Sequence, residues 1–336
     1  MKPYKLSIFI LHFLTLLITA ETLYAQKDFP HDTSYYETYP HTVTGRLFLS
    51  QKYVHLNFPG SGSASDLEYK ANAKLNMGIG VTIHGFSISV FNGFSFLNKK
   101  DNAKGKTKGL DLQMHLYPRK WAIDLLALFP KGFYLDPKGF AAANSNSYYY
   151  RPDVKLTLMG LSAYRVPNKE KFSYRAAILQ TEWQKKSAGS VLFGGQVYYG
   201  MIKGDSALVP TKVQSGYPQA GISKINFFGF GPGIGYAYTL VIAKHLFITG
   251  SLVGNLDLNF TNEEGTGKNN KVALSPAEVF KAAAGYNSSS WNVSVNWTGS
   301  GLWFKGASSS ENYFWPTGIY KLVVAKKFVT KKHHKT

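Results

Sequence analysis

The sequence predicts an all-β protein, specifically an antiparallel up-and-down transmembrane β-barrel of about 12 to 14 strands. Three observations lead to this fold class: apolar and polar residues alternate along many segments, a leader typical of exported proteins precedes them, and the 336 residues include no cysteine. Successive strand side chains point to opposite faces, so each alternating segment has one apolar and one polar face. About ten residues suffice for a tilted strand to cross the hydrocarbon layer.

The N-terminal segment, residues 1–25, has the features of a secretory signal peptide. Lys2 and Lys5 make its start basic, and the apolar run at residues 6–18 is shorter than the roughly 20 residues of a membrane-spanning helix. We therefore expect cleavage after Ala25 and an exported protein. The rest divides into a polar lead-in at residues 26–42, a barrel domain at 43–328 and a basic tail at 329–336.

The clearest alternation runs along residues 73–84, where alanine, leucine, methionine, isoleucine and valine occupy one face. Similar patterns predict strands at residues 43–58, 86–96, 110–117, 153–165, 172–178, 191–201, 246–260 and 291–303. The glycines around Pro232 predict a hairpin between strands at 222–230 and 233–242. Long and short connections alternate along most of the chain, as expected for a bacterial barrel with long external loops and short periplasmic turns.

Composition and charge narrow the class of partner. Aromatic residues make up 15% of the chain and charged residues 17%, which suits a sheet with aromatic girdles. The lack of cysteine excludes disulfides and thiolate zinc sites. The net charge of +19 lies mainly in loops, such as residues 99–108, and in the tail. In an exported protein this charge indicates membrane lipids, bound through anionic phosphates, and no nucleic acid; the alternative is solvated loop charge.

No catalytic or cofactor motif is complete. Residues 104–107 end like a phosphate-binding loop, but Lys100 stands where the first glycine of that loop belongs. The chain has no Gly-x-Ser-x-Gly elbow and no His-Glu-x-x-His zinc motif. His333 and His334 have no acidic neighbour, so we expect no metal. The sequence therefore predicts neither a cofactor nor enzymatic activity.

The polar strand faces supply the candidate site. If the apolar faces contact lipid, the barrel interior receives polar side chains of both charge signs. The lumen-facing candidates are Lys74, His84, Asp111, His115, Lys120, Asp124, Asp153, Lys155, Arg165, Arg175 and Asp257. Three interpretations stay open: a structural network of ion pairs, a polar conduit, or a hydrolytic site in which His115 or His84 activates a wall serine.

These interpretations correspond to different functions. The first is an outer-membrane β-barrel of unknown specific activity, acting as a passive or selective conduit or as a structural membrane protein. One alternative is a barrel-wall lipid hydrolase, which needs a serine and a histidine within about 3 Å. The other is a soluble periplasmic β-sandwich binding protein, in which the apolar faces of two sheets pack against each other.

Several motifs resemble a family of exported bacterial proteins known as domain of unknown function 4421. The strongest lie at residues 149–153 (Tyr-Tyr-Arg-Pro-Asp), 172–177 (Phe-Ser-Tyr-Arg-Ala-Ala) and 182–190 (Glu-Trp-Gln-Lys-Lys-Ser-Ala-Gly-Ser). The resemblance covers nearly the whole mature chain and implies a β-rich, barrel-like protein with no assigned activity. Within these motifs we expect Arg151 to pair with a neighbouring carboxylate and Trp183 to lie at a membrane interface.

Overall fold

The computed structural model describes residues 30–40, 42–83, 86–98, 103–265, 267–309 and 311–329, except the side chains of residues 86–88. The predicted signal peptide, the candidate His84, the loop residues Lys99 and Lys100 and nearly all of the basic tail lie outside the described residues. No helix within the described part of the chain has the length and apolar character needed to cross a membrane.

Strands dominate the described residues. They are β1 (Tyr36–Thr38), β2 (Thr42–Phe58), β3 (Leu67–Lys70), β4 (Leu75–Ile83), β5 (Phe86–Asn92), β6 (Lys108–Leu116), β7 (Trp121–Asp136), β8 (Tyr150–Arg165), β9 (Glu182–Gln184), β10 (Ala188–Lys203), β11 (Lys224–Ile242), β12 (Leu246–Glu264), β13 (Lys268–Asn287), β14 (Trp291–Lys305) and β15 (Asn312–Val329). A short helix, α1 (Tyr174–Ala177), lies between β8 and β9, and a 3-10 helix (Thr211–Gly216) precedes β11.

One antiparallel sheet of 13 strands closes into a barrel. The closed circuit runs through ten strands, in the order β2, β3, β7, β8, β10, β11, β12, β13, β14 and β15, and β15 returns to β2. The strand β3 is short. Along the remaining length of β2 and β7, the strands β4 and β5 extend the wall from β2, and β6 extends it from β7. The predicted antiparallel barrel is confirmed: the sheet has a strand number within the expected range, although its closed circuit is smaller.

The outer face of the wall carries an apolar belt. On β12, Leu246, Ile248, Leu252 and Leu256 are 51–56% exposed, and exposed apolar side chains continue on β4, β6, β11, β13, β14 and β15. From Leu246 to Phe260 the chain rises roughly 46 Å, or about 35 Å along the barrel axis at a tilt of about 40°. That height is comparable to the roughly 30 Å hydrocarbon core of a bilayer. Soluble proteins rarely expose so large an apolar surface.

The predicted hairpin around Pro232 is wrong, because β11 runs unbroken from Lys224 to Ile242. Pro232 lies opposite Gly195 of β10. Towards β12, pairing stops at Phe230 and resumes at Gly233 in the same register. A proline has no N–H to give to a ladder, so the strand passes through it by leaving this short stretch unpaired on one side.

The two ends of the barrel are filled differently. We call the end at which β2 begins and β15 finishes the terminal end, and the opposite end the far end. The far half of the lumen holds an apolar core, in which the rings of Phe227 and Phe304 stack with centroids 4.0 Å apart beside Trp315. The connection between β10 and β11 covers this core, and Tyr69 Oη donates a hydrogen bond to the Leu208 carbonyl at 2.6 Å.

A plug, made of residues 30–39 and 166–187, occupies the terminal end. Within it β1 pairs with β9, and the Tyr174 hydroxyl of α1 shares a hydrogen bond of 2.6 Å with Ser251 Oγ of β12. Residues 172–178, predicted as a strand, therefore belong to the plug and include a helical turn. The Ser173 hydroxyl accepts a hydrogen bond from the Ala176 N–H, which caps that turn and favours it over an extended strand.

The belt predicts how arginine substitutions affect stability in lipid. Leu252→Arg should destabilise the barrel by about 2–4 kcal/mol, because it places a charge at mid-belt. Ile242→Arg, at the end of β11, should cost about 1 kcal/mol or less, since its side chain reaches the polar interface. Urea unfolding of the protein in lipid vesicles measures both free energies. Equal, small losses would contradict a lipid-facing belt.

Candidate functional site

An ion pair crosses the lumen between β7 and β13. Lys281 Nζ of β13 lies 2.6 Å from Asp124 Oδ2 of β7, and both side chains are largely buried. Four strands separate β7 from β13 in either direction around the ten-strand circuit, so the pair joins opposite parts of the wall. We call this interaction the central bridge.

The groups around the central bridge saturate its carboxylate. Asp124 Oδ1 lies 2.7 Å from His115 Nδ1 and accepts a hydrogen bond of 3.0 Å from the Tyr117 hydroxyl. The Lys281 ammonium lies 5.8 Å from the ring centroid of Tyr117 and 5.6 Å from that of Tyr174 in the plug. Every charged group here has a partner, which is the arrangement that buried charges require. Both oxygens of the Asp124 carboxylate therefore have partners.

Polar side chains also bridge the lumen between β8 or β10 and β12. The Tyr164 hydroxyl donates to Asn255 Oδ1 at 2.9 Å, and the Tyr198 hydroxyl donates to Asn259 Oδ1 at 2.7 Å. Each of these hydrogen bonds joins two inward-facing side chains across a narrow interior. Their geometry indicates that the lumen is bridged at several heights and not only at the central bridge.

Asp257 is a buried carboxylate of the interior with one oxygen unpaired. Its side chain is fully buried, and Gln196 Nε2 donates a hydrogen bond to Oδ2 at 2.6 Å. The other oxygen, Oδ1, has no hydrogen-bond partner among the described residues. A cavity of about 100 Å³ lies close by and is lined by Gln113, Ser162 and Gln196, among others. This volume holds a few water molecules and does not form a channel.

The plug is fastened by a buried carboxylate, that of Glu182. Its Oε2 accepts hydrogen bonds from Arg119 Nη1 at 2.8 Å and from the Ser173 hydroxyl at 2.5 Å. Arg175 Nη1 lies 3.9 Å from Glu182 Oε1. Asn287 of β13 donates a further hydrogen bond to the Glu182 carbonyl at 2.9 Å. The plug is thus joined to the barrel through an ionic contact at the β6–β7 turn and through hydrogen bonds to the wall.

Tyr36 lies next to this contact. Its hydroxyl donates to the Lys169 carbonyl at 2.7 Å, and its ring lies 5.2 Å from the Arg119 guanidinium. Burial raises the pKa of the Tyr36 phenol to about 12, although the nearby positive charge of Arg119 opposes the shift. Tyr36 therefore stays neutral in the docked plug at ordinary pH.

The structure brings several predicted residues into the lumen. Asp111, His115, Asp124 and Asp257 all face inward, and His115 and Asp124 contact each other directly. Arg175 also lies inside the barrel, but on the plug, where its Nε donates a hydrogen bond to the Tyr117 carbonyl at 2.7 Å.

Other predicted residues lie elsewhere. Lys155 and Arg165 are exposed on the outer face, which corrects the expectation that they face the lumen. The expectation fails because the apolar face of β8 points inward: Val154 and Leu158 line the far half of the lumen, and Tyr164, next to Arg165, is buried at the terminal end. The outward Arg165 guanidinium lies 5.7 Å from the Trp121 ring centroid.

Three more candidates lie at the edges of the barrel. Lys74 is exposed in the connection between β3 and β4, and Lys120 lies in the turn between β6 and β7, so neither is a wall residue facing the lumen. Asp153 lies near the far end of β8 and forms hydrogen bonds of 2.8 and 2.7 Å with Arg151, as expected for that arginine. Trp183 belongs to the plug, where its Nε1 donates to the Lys244 carbonyl.

Several inward charges were missed by the sequence prediction, notably Arg46, Lys52, Lys281 and Lys321. Lys281 and Lys321 each stand between outward apolar or aromatic neighbours, and this pattern is the signal that identifies these two. On the inward face of β13 the neighbours of Lys281 are Val279 and Ala283. This face therefore has no run of polar residues that would identify it as the lumen side.

The arrangement gives the hydrolytic alternative no support. Among the described residues no hydrogen bond joins a serine to a histidine, and the nearest partner of His115 is a carboxylate that also binds a lysine. A search of the same residues finds no group of three or more histidine, aspartate or glutamate side chains able to hold a metal ion. The predictions of no cofactor and no enzymatic activity stay predictions.

Comparison with known proteins identifies one family and a fold. The family model described as Domain of unknown function (DUF4421) matches residues 30–328. No curated protein sequence matches the chain.

Solved structures of similar architecture are outer-membrane proteins. The outer membrane protease OmpT from Escherichia coli is 10% identical, covers 87% of this chain and 98% of its own, and gives a TM-score of 0.38. OprG from Pseudomonas aeruginosa is 12% identical, with coverages of 85% and 97% and a TM-score of 0.22. The toluene transporter TodX from P. putida is 8% identical, with coverages of 88% and 92% and a TM-score of 0.19. At these values the similarities carry no argument about activity.

Removing one partner of the central bridge should destabilise the barrel strongly. Lys281→Met leaves the Asp124 carboxylate without its cation, and we expect a loss of about 3–5 kcal/mol in unfolding free energy. The double variant Asp124→Asn/Lys281→Met should recover part of this loss, because no unpaired charge then remains.

Lys326→Met is the matched control for this prediction. Lys326 is exposed on the outer face of β15, with Nζ 4.8 Å from the Trp291 ring centroid, so its replacement should cost about 1 kcal/mol or less. Urea unfolding in an uncharged detergent compares the three variants. A Lys281→Met variant as stable as Lys326→Met would show that the bridge contributes little.

Raising the pH from about 10 to about 12 should release the plug. Because the docked Tyr36 phenol has a raised pKa of about 12, its contribution to docking is complete below the usual phenol pKa of about 10 and is lost as the pH rises through 12. A fluorophore on Ser34→Cys reports the change, since the chain has no other cysteine. Tyr36→Phe should weaken this pH dependence, and Tyr35→Phe should retain it. Identical titrations of both variants would contradict the role of Tyr36.

Proposed function

This chain belongs to the DUF4421 family, and we propose that it is an outer-membrane β-barrel with a filled lumen, acting as a structural or ligand-holding membrane protein and not as an open pore. The observation that carries the proposal is the combination of an apolar belt outside with a plug, a central bridge and an apolar core inside. The first feature suits a lipid environment, and the second is poorly suited to free diffusion of solutes.

The apolar belt supports a location in the membrane. A soluble β-sandwich would pack its apolar faces between two sheets, whereas here one sheet closes on itself and exposes those faces. The soluble alternative is therefore not supported. Closure also satisfies most backbone groups of the wall internally, which is what a lipid environment requires.

The filled interior favours a structural role over a passive conduit. Porins conduct because they enclose a wide aqueous channel. In this barrel the plug fills the terminal end, the Asp124–Lys281 pair crosses the middle, and apolar side chains fill the far half. A solute would have to displace all three to pass, so steady conduction is not expected.

The basic loops remain the proposed contact for anionic lipid phosphates. Lys104 lies in the connection between β5 and β6, with Nζ 5.4 Å from the ring centroids of both Tyr134 and Tyr148. Lysine beside aromatic rings is a common arrangement where a protein meets a membrane interface.

Cell fractionation and bilayer recording test the proposal. The mature protein should be found in the outer-membrane fraction, and the purified protein should show no steady single-channel conductance. Recovery from the soluble periplasm would contradict the location, and porin-like conductance in the unmodified protein would contradict the filled lumen.

Weakening the plug should open the barrel intermittently. Glu182→Gln removes the charge that holds Arg119 and should increase brief conductance events in a planar bilayer about tenfold, since a charge-assisted hydrogen bond stabilises by about 1.5–3 kcal/mol. Glu264→Gln is the control, because Glu264 forms an ion pair of 3.1 Å with Lys224 at the far end, away from the plug. Equal event rates in the two variants would show that the plug does not close the lumen.

A further inference from the structure

The wall has a seam between β5 and β6. β5 pairs with β4, and β6 pairs with β7, but no backbone pairing joins β5 to β6 within the described residues. These strands follow each other in the chain and lie at facing edges of the wall. Unpaired strand edges are costly in lipid, where water cannot satisfy their N–H and C=O groups. The seam is therefore the part of the wall at which the strand edges are free to take another partner.

Side chains from neighbouring elements lie behind the seam and contact both of its strands. Lys52 of β2 extends so that its Nζ lies 4.9 Å from the ring centroid of Phe91 on β5 and 2.5 Å from Asp111 Oδ2 on β6. Near the far end, Asn72 Nδ2 donates a hydrogen bond to the Gly105 carbonyl at 2.7 Å. The Lys52–Asp111 pair thus joins β2 to β6 behind the seam, and a second anion is able to compete for the Lys52 ammonium.

Positive charge collects behind the seam. Among the described residues, Lys321 on β15 lies opposite Ser50 of β2, one inward position from Lys52. Lys321 has no hydrogen-bond or ion-pair partner in the same set of residues, and Arg46 Nε is buried without an acceptor. Lys52 is paired with Asp111, whereas Lys321 has no counter-ion of its own among the described residues. An added anion would correct this imbalance.

These cations are accessible through the wall at the seam and not from either end of the lumen. The plug fills the terminal end of the lumen and the apolar core fills the far end. At the seam, Phe91 faces the lumen and is still 47% exposed. Beyond β5, Phe94 and Phe96 stack with centroids 5.4 Å apart and are also exposed. A ligand that reaches the cations from this side passes apolar and aromatic surface first.

We propose that the seam admits a single-chain amphipathic anion, an alkyl phosphate or carboxylate, from the membrane. Its headgroup binds Lys321 and shares Lys52 with Asp111, and its alkyl chain lies between the edges of β5 and β6. The headgroup thereby supplies the missing negative charge, while the chain covers apolar surface at the opening. This site deepens the proposed function, since it rests on a barrel that faces lipid.

Native mass spectrometry in an uncharged detergent tests the site. The probe is dodecyl phosphate, with dodecyltrimethylammonium and inorganic phosphate as comparisons. Dodecyl phosphate should bind the unmodified protein, and Lys321→Gln should weaken binding about tenfold or more, the effect of losing one charge-assisted hydrogen bond. Lys326→Gln, which removes an outward lysine from the same strand, should bind as the unmodified protein does.

A second variant separates a binding role from a structural one. Asp111→Asn removes the carboxylate that competes for Lys52, so it should bind dodecyl phosphate more tightly, whereas a purely structural pair would give weaker or unchanged binding. Circular dichroism checks that each variant is folded.

Each remaining outcome decides against the proposal in a defined way. Equal binding of dodecyltrimethylammonium would indicate apolar association only, and equal binding of inorganic phosphate would indicate a simple anion site reached from water. Unchanged binding by Lys321→Gln overturns the seam site even if the protein fractionates with the outer membrane. Recovery of the protein from the soluble periplasm would instead overturn the proposed function, whatever the probe does.

Discussion

The pairing of buried charges inside a closed sheet is the constraint on which the structure depends. Lys281 and Asp124 lie on strands that are not neighbours, and their contact holds β13 close to β7 across the lumen. Because Tyr117 and Tyr174 surround the ammonium, the plug is part of the same arrangement. Separating these strands to form a channel would leave two charges without partners in a poorly hydrated interior, at a cost of several kcal/mol.

The filled lumen and the seam have a common physical origin. A barrel wall is stable in lipid when backbone groups pair around the full circuit, and β3 completes that circuit only over a short height. Beyond β3 along the wall, the Lys52–Asp111 pair joins β2 to β6, two strands that share no backbone pairing. The wall is therefore held by backbone hydrogen bonds and by side-chain ion pairs. An anionic ligand is able to compete for the lysine of such an ion pair.

Individual residues show where prediction from the sequence succeeded and where it failed. Asp111, His115, Asp124 and Asp257 lie on the inward face because strict alternation fixes the face of a strand residue. The prediction that Lys155 faces the lumen failed because the rule that apolar faces meet lipid does not hold for the far half of β8. The strand predicted at residues 172–178 was wrong because seven residues with a strand-like pattern also fit a buried helical turn capped by serine.

The sequence by itself determined the fold class, since the alternation of side chains along a strand is local and depends only on chain geometry. It also determined the chemical character of the two faces over most of the wall. The tertiary structure decided which inward residues meet, because the Asp124–Lys281, Tyr164–Asn255 and Lys52–Asp111 contacts join strands far apart in the chain. Such contacts depend on barrel size, strand register and the docked plug, and none of these is encoded in the period of one strand.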